Sequence, residues 1–295
     1  MTDEILVVGA GAMGSQIAMV CALAGHGTTV TDIADDALDR ARSQLHARLD
    51  RDVAKGRRTR EDVDAAFARL TFTTDLDAAA AGADLVIEAA LEDLEVKREV
   101  FARLDQVTPP HAVLTTNSSA IMSSQLADAT GRPDRVANMH FFNPALVMRC
   151  VEVVRGPATS DATVDAVVAL TRQLGKEPVV LRKEIPGFVA NRILSALRDE
   201  AVFLLEEGVA TVEDIDAACR TALGYPMGPF ELMDLTGIDI GYRAKLARHA
   251  VTGNDRDLPS RTVSELVERG DLGRKTGKGF YTYDEDGSHM KEGRS

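Results

Sequence analysis

The sequence predicts an α/β fold: a doubly wound, mainly parallel sheet followed by an all-α C-terminal domain. Three observations predict it. A continuous apolar run, Ile5-Leu6-Val7-Val8, leads into a glycine-rich turn and then a helical pattern. Strand-like runs alternate with helical stretches as far as Leu181, the signature of a sheet built from parallel crossovers. Beyond Pro186-Gly187 the apolar periodicity is helical almost to the end. A chain of 295 residues with 45% hydrophobic content holds either one large domain or two ordinary ones, with ample material for a core.

The first element is the strand at 5–8, and the turn after it reads Gly9-Ala10-Gly11-Ala12-Met13-Gly14. A helix follows through Ile17, Val20, Cys21 and Leu23, and a second strand, 28–31, ends at Asp32. Glycines spaced in this way are weak evidence alone; between a buried strand and a helix they mark a dinucleotide site. Gly9 permits the tight turn, and Gly11 lets the backbone approach a pyrophosphate at the helix N-terminus, where Ala12 and Met13 begin the first turn. Gly14 lets helix and strand pack closely. Asp32 stands 18 residues beyond Gly14, where a carboxylate accepts from ribose hydroxyls and repels a 2′-phosphate, which favours NAD over NADP. The bland alternative is a turn cluster with a solvated Asp. The expected arrangement is Rossmann-type.

A helical insertion is expected near 34–69, with two helical stretches around Lys55-Gly56-Arg57-Arg58. Arg48, Arg51, Lys55 and Arg58 share one face if the helix runs that far. They form either a solvated face paired with Asp50, Asp52 and Glu61 or a docking ridge for a polyphosphate ligand. Strands at 70–73, 83–88 and 112–116 follow, and ligands bind beyond the carboxyl ends of such strands. That places two segments in reach of a ligand, 88–97 and Asn117-Ser118-Ser119, although ordinary turn and N-cap chemistry before a helix near Ser123 also explains the second.

Next, a strand at 135–142, a turn through Asn143-Pro144 and a strand at 151–155 bring His140 and Glu152 face to face. An enzyme that hands a hydride to a nicotinamide also needs an acceptor for the hydroxyl proton. A satisfied core histidine is the alternative. After a strand at 177–181, Pro186-Gly187 marks the boundary. One helix runs through Ile193, Leu197, Val202 and Leu205 to Gly208, a second from Thr211 to near Gly224, and more follow Pro229 and Pro259. The expected domains are 1–184, 185–283 and a flexible tail at 284–295, in which His289 is given no role.

Composition excludes several classes. A net charge of −12 argues against nucleic acid as a partner. Cys21, Cys150 and Cys219 have neither metal-ligand nor redox spacing, so no metal is expected. No apolar stretch approaches the roughly 18 residues that span a bilayer, and the expected location is cytoplasmic.

Six ordered motifs together carry a resemblance: Gly9 to Gly14; Asn117-Ser118-Ser119; His140-Phe141-Phe142-Asn143-Pro144; Pro186 to Arg192; Tyr225-Pro226-Met227-Gly228-Pro229-Phe230-Glu231-Leu232; and Gly273-Arg274-Lys275-Thr276-Gly277-Lys278-Gly279-Phe280-Tyr281. With them the chain resembles the short-chain L-3-hydroxyacyl-CoA dehydrogenase family, most closely bacterial 3-hydroxybutyryl-CoA dehydrogenases, from the first strand to about Tyr283. The resemblance implies reversible NAD-dependent oxidation of (S)-3-hydroxyacyl-CoA to 3-oxoacyl-CoA and a homodimer formed through the helical domain. Site by site, it implies His140 as base, Glu152 as the carboxylate that orients it, and Ser119 and Asn191 as polar contacts to the acyl-CoA substrate. It also makes Glu92, Lys97 and Asn117 cofactor-side residues and sets Lys55 near the coenzyme A phosphates. One departure stands out: the family reads Asn-Thr-Ser-Ser-Leu where this chain has Asn117-Ser118-Ser119-Ala120-Ile121, which leaves Ala120 in place of a second serine. The competing readings are a dehydrogenase of the same architecture acting on a free sugar acid, and a non-catalytic NAD-binding protein.

Overall fold

The computed structural model describes residues 4–284. The expected tail, including His289, lies outside the described residues apart from Asp284. Contacts divide the chain into two compact units, the first ending at Phe188 and the second beginning at Val189.

In chain order the first unit contains β1 (Glu4–Val8), α1 (Ala12–Leu23), β2 (Gly27–Thr31), α2 (Asp35–Ala54), α3 (Arg60–Ala68), β3 (Leu70–Thr73), α4 (Leu76–Ala80), β4 (Leu85–Glu88), α5 (Leu94–Val107), β5 (Val113–Thr116), α6 (Ser123–Ala127), β6 (Val136–Phe141), β7 (Cys150–Val154), α7 (Asp161–Gln173) and β8 (Glu177–Leu181). The strands form one sheet in the order β3-β2-β1-β4-β5-β6-β7-β8. All neighbours are parallel except β6 and β7, which pair antiparallel.

Alternation along the strands sends side chains to two separate cores. Ile5, Val7, Leu85, Ile87, Met139, Phe141, Val151 and Val153 enter one, under α1 and α7. Leu6, Val8, Val86, Leu114 and Val136 enter the other, under α5 and α6. Central strands buried on both faces need continuous apolar runs, which is why these read as unbroken stretches in the sequence. The period of two also puts Asn138 and His140 on the same face of β6 as Val136.

The insertion is a helix pair packed on α1 through Leu45, Leu49, Val63 and Ala66, with His46 stacked on Phe67 at 3.7 Å between ring centroids. Here the sequence expectation needs correcting. Helix α2 stops at Ala54, Lys55 is its C-cap and Gly56 has φ +67°, so Arg58 leaves the face shared by Arg48, Arg51 and Lys55. A left-handed glycine ends the helix one turn too soon.

The second unit contains α8 (Ala190–Glu206), α9 (Val212–Ala222), α10 (Pro229–Thr236), α11 (Ile238–Thr252) and α12 (Arg261–Arg269) around Ala201, Val202, Ile215, Phe230, Met233, Ile238 and Leu266. Two buried carboxylates organise it. Asp216 accepts from the backbone N–H of Phe230 (2.9 Å) and Glu231 (3.0 Å) and from the Tyr281 hydroxyl (2.8 Å). Asp234 accepts from the N–H of Phe280 (3.0 Å) and Tyr281 (2.9 Å) and from the Tyr283 hydroxyl (2.8 Å). A Cβ on Gly228 would lie 2.2 Å from Asp216, and one on Gly279 would lie 2.1 Å from Asp234. Both glycine-bearing motifs of this half therefore let backbone close onto a buried acid.

Candidate active site

Position and pairing of His140 follow from the ladder. His140 on β6 stands directly opposite Glu152 on β7, and facing residues of an antiparallel pair project to the same side of the sheet. Both are buried, and His140 Nδ1 lies 2.9 Å from Glu152 Oε2. An ionised carboxylate only accepts hydrogen bonds, so the contact places the ring proton on Nδ1 and the basic lone pair on Nε2. Nε2 has no hydrogen-bond partner among the described residues.

Two aromatic rings fix the imidazole plane. Phe142 meets it edge-on at 4.6 Å and Phe188 at 5.5 Å. Phe188 is buried with Val154 and Leu181 and holds φ +49°, the left-handed region that costs a non-glycine residue about 1 kcal/mol or more. Sequence reading missed both rings as site residues. The Phe-Phe run beside His140 carried a signal, but backbone conformation at Phe188 did not.

The β5–α6 loop, residues 117–122, lies against the same strand. Asn117 Oδ1 accepts from Phe141 N–H at 2.8 Å, and its own N–H donates to Glu88 O at 2.7 Å. Ser118 is buried and donates its hydroxyl to Glu92, whereas Ser119 is half-buried and its hydroxyl has no hydrogen-bond partner among the described residues. Ser118 thus serves the loop and Ser119 remains available.

Beneath the loop lies a charged cluster. Glu88 accepts from Lys97 Nζ (2.6 Å), Ala90 N–H (2.6 Å) and the Thr116 hydroxyl (2.7 Å), and Lys97 Nζ lies 3.3 Å from Glu92 Oε2. The Lys97 side chain is 1% exposed, and its ammonium supports Glu88 and Glu92 from below. Burying an ammonium demands such paired carboxylates. Glu92 itself remains 46% exposed and faces solvent.

The glycine turn fits a dinucleotide. Helix α1 begins at N-cap Gly11 with no side-chain cap and no acidic residue in its first turn, so its leading N–H groups stay open to an anion. A Cβ at Gly11 would meet nothing within 4 Å, while Ala12 is exposed and Met13 half-buried. Gly9, at φ +103°, and Gly14 are backbone contacts: a Cβ on Gly9 would sit 2.6 Å from Ala89 O, and one on Gly14 only 1.9 Å from Gly9 O. Asp32 directly follows β2 and accepts from Ala10 N–H at 2.8 Å and Ala34 N–H at 3.2 Å, which holds it half-exposed beside the turn.

Asn191 occupies the first turn of α8 in the second unit, and Lys55 is exposed at the end of α2. Among the described residues no group of three or more His, Cys, Asp or Glu is arranged to hold a metal ion. No described helix is long and apolar enough to cross a membrane.

Family models match along nearly the whole chain: the NAD-binding domain of 3-hydroxyacyl-CoA dehydrogenase at residues 4–185 and the C-terminal domain of the same family at 187–283. The chain is 46% identical over 282 residues to the 3-hydroxyadipyl-CoA dehydrogenase of Escherichia coli, an alignment that covers 95% of this chain but 59% of that protein. It is 40% identical to the 3-hydroxybutyryl-CoA dehydrogenase of Bradyrhizobium diazoefficiens, with 95% of each covered. Among solved structures, the (S)-3-hydroxybutyryl-CoA dehydrogenase of Ralstonia eutropha superposes with a TM-score of 0.89 at 38% identity, covering 97% of this chain and all of that one. With its glycine turn, its buried His–Glu pair and both domain models in sequence, the chain belongs to the 3-hydroxyacyl-CoA dehydrogenase family and is an NAD-dependent oxidoreductase.

Proposed function

We propose that the protein catalyses the reversible oxidation of (S)-3-hydroxybutyryl-CoA to acetoacetyl-CoA. The observation that carries the reading is the buried His140–Glu152 pair, whose Nε2 is basic and unpartnered among the described residues. NAD bound at the glycine turn supplies the hydride acceptor, and NADH the donor. In oxidation His140 Nε2 accepts the proton of the 3-hydroxyl, and the negative Glu152 stabilises the imidazolium that results. In reduction the same imidazolium returns the proton to the carbonyl oxygen. Ser119 and Asn191 are assigned to hold the substrate oxygens, since positioning lowers a barrier as effectively as proton transfer does. Asp32 is assigned to the ribose hydroxyls, Gly11, Ala12 and Met13 to the pyrophosphate, and Glu92 and Asn117 to the cofactor side of the loop. Lys55 is assigned to the phosphates of coenzyme A.

A spectrophotometric assay with acetoacetyl-CoA and NADH tests the reading: NADH is consumed at a rate that depends on acetoacetyl-CoA. Consumption with a free 3-oxo acid and none with the thioester overturns it. The 46% identity to a 3-hydroxyadipyl-CoA dehydrogenase favours a second reading, in which the acyl chain ends in a carboxylate. Side-by-side kcat/KM values for 3-hydroxybutyryl-CoA and 3-hydroxyadipyl-CoA decide between them.

A cytoplasmic homodimer completes the proposal. Large apolar side chains such as Phe203, Val209, Leu223 and Ile240 of the second unit are more than half exposed, as expected of a surface covered by a second copy. Sedimentation at twice the 31.7 kDa chain mass is the expected result.

A further inference from the structure

We propose that Asn138 is a positioning residue for the reaction, locking the 117–122 loop, and Ser119 with it, in register with His140. The inference rests on the substrate-contacting role assigned to Ser119. Asn138 is fully buried on β6, two residues before His140 and on the same face of the strand. Val136, Ala137 and Met139 around it are apolar, and an amide in such a place costs free energy unless its hydrogen bonds are made.

All three are made to one short piece of main chain. Asn138 Oδ1 accepts from Ser123 N–H at 2.7 Å, and Nδ2 donates to Ile121 O at 3.0 Å and Ser118 O at 3.2 Å. These bonds grip the loop on both sides of Ser119. Because the Ser119 side chain has no partner of its own among the described residues, its hydroxyl is placed by the backbone that Asn138 holds. Glu184 steadies the far end, accepting from the Ser123 hydroxyl at 2.6 Å and Ser124 N–H at 2.8 Å. Asn138 differs from Glu184 in riding on the strand that carries the base, so it sets the distance between two chemical groups.

A double-mutant cycle tests this. Asn138→Ala should lower kcat/KM for acetoacetyl-CoA by roughly ten- to hundredfold, the cost of a displacement near 1 Å. The pH midpoint of the rate should stay put, because the His140–Glu152 pair is untouched. Ser119→Ala should cost far less in the Asn138→Ala background than in the wild type, because the loop no longer presents the hydroxyl. Asn138→Asp keeps the acceptor for Ser123 but turns an oxygen toward two carbonyls, so it should be as damaging as Ala. Fully additive effects of Asn138→Ala and Ser119→Ala overturn the proposal. Hydrogen exchange on the wild type gives a readout independent of both variant folding and activity: the Ser123 amide should exchange as slowly as those of β6. Exchange at the rate of an exposed loop overturns the proposal as well. A wild type inactive on acetoacetyl-CoA but slow to exchange at Ser123 overturns the functional reading alone.

Discussion

A histidine whose Nδ1 is held by a buried carboxylate differs from one that merely fills space, and the difference is measurable in two substitutions. His140→Gln removes the basic nitrogen and should lower turnover with acetoacetyl-CoA by roughly 10²–10⁴-fold while NADH binding, read by fluorescence, survives. Glu152→Gln keeps a hydrogen-bond acceptor but loses the charge that favours imidazolium. Reduction requires that imidazolium, so its pH–rate profile should shift toward lower pH; an unshifted profile would leave Glu152 a packing role. Asp32 makes a third case. Its carboxylate repels a 2′-phosphate, so Asp32→Ser should lower the KM for NADPH and raise that for NADH, and a wild type that already prefers NADPH would refute the assignment. The pairing of His140 with Glu152 was legible in the sequence because chain order brings them onto neighbouring strands, where a ladder register makes them meet. Phe188 and Asn138 were not legible: one acts through a left-handed backbone angle and the other through bonds to main chain, and neither has a sequence period.

Short strand-like runs were read to their ends. The strands at 70–73 and 177–181 emerge with the expected bounds, whereas the basic ridge broke at Gly56, whose conformation no periodicity encodes. The glycine turn shows how far a motif's letters differ in physical meaning. Gly14 has no room: a Cβ there would lie 1.9 Å from Gly9 O and 3.0 Å from Gly9 C, both backbone. Gly14→Ala must push α1 away from β1, and should cost on the order of 1–3 kcal/mol of stability. At Gly11 a Cβ meets nothing within 4 Å, and its extended backbone, φ −66° and ψ −174°, suits any residue. Gly11→Ala should therefore melt within a degree or so of the wild type, given that a change of about 1 kcal/mol moves a domain of this size by roughly 2–4 °C. Its NADH affinity should nevertheless fall at least several-fold, because the methyl group occupies the approach of the pyrophosphate. Equal loss of stability in both variants would show that Gly11, too, is needed only for packing.

At the scale of the whole molecule, the proposed function asks a chain with a net charge of −12 to bind a polyanion, since coenzyme A brings its own phosphates. The average field opposes that encounter, so local cations have to reverse it. The helix pair of the insertion carries candidates: Arg51 is exposed on α2 and Lys55 at its C-cap. Arg48 and Arg57 are partly neutralised by Asp52, at 3.6 Å and 3.4 Å. Arg58, although off the helical face, lies near enough to Lys176 that its charge, after burial, helps hold the Lys176 ammonium below its ordinary pKa. Positive charge is thus concentrated around the end of α2, and Lys55 is its exposed member at the helix terminus. Lys55→Ala should raise the KM for acetoacetyl-CoA several-fold, within the roughly 1–3 kcal/mol of a charge-assisted contact, and leave kcat nearly intact. Raising the salt should shrink the difference, because exposed charges are screened over a Debye length of about 10 Å at 0.1 M. The control is the N-acetylcysteamine thioester of acetoacetate, which keeps the reacting carbonyl and lacks the nucleotide phosphates. Wild type and Lys55→Ala should process it alike, because all that distinguishes them is a charge with nothing to meet. If the variant handles the short thioester as poorly as the full substrate, Lys55 holds α2 in place and the phosphates dock elsewhere.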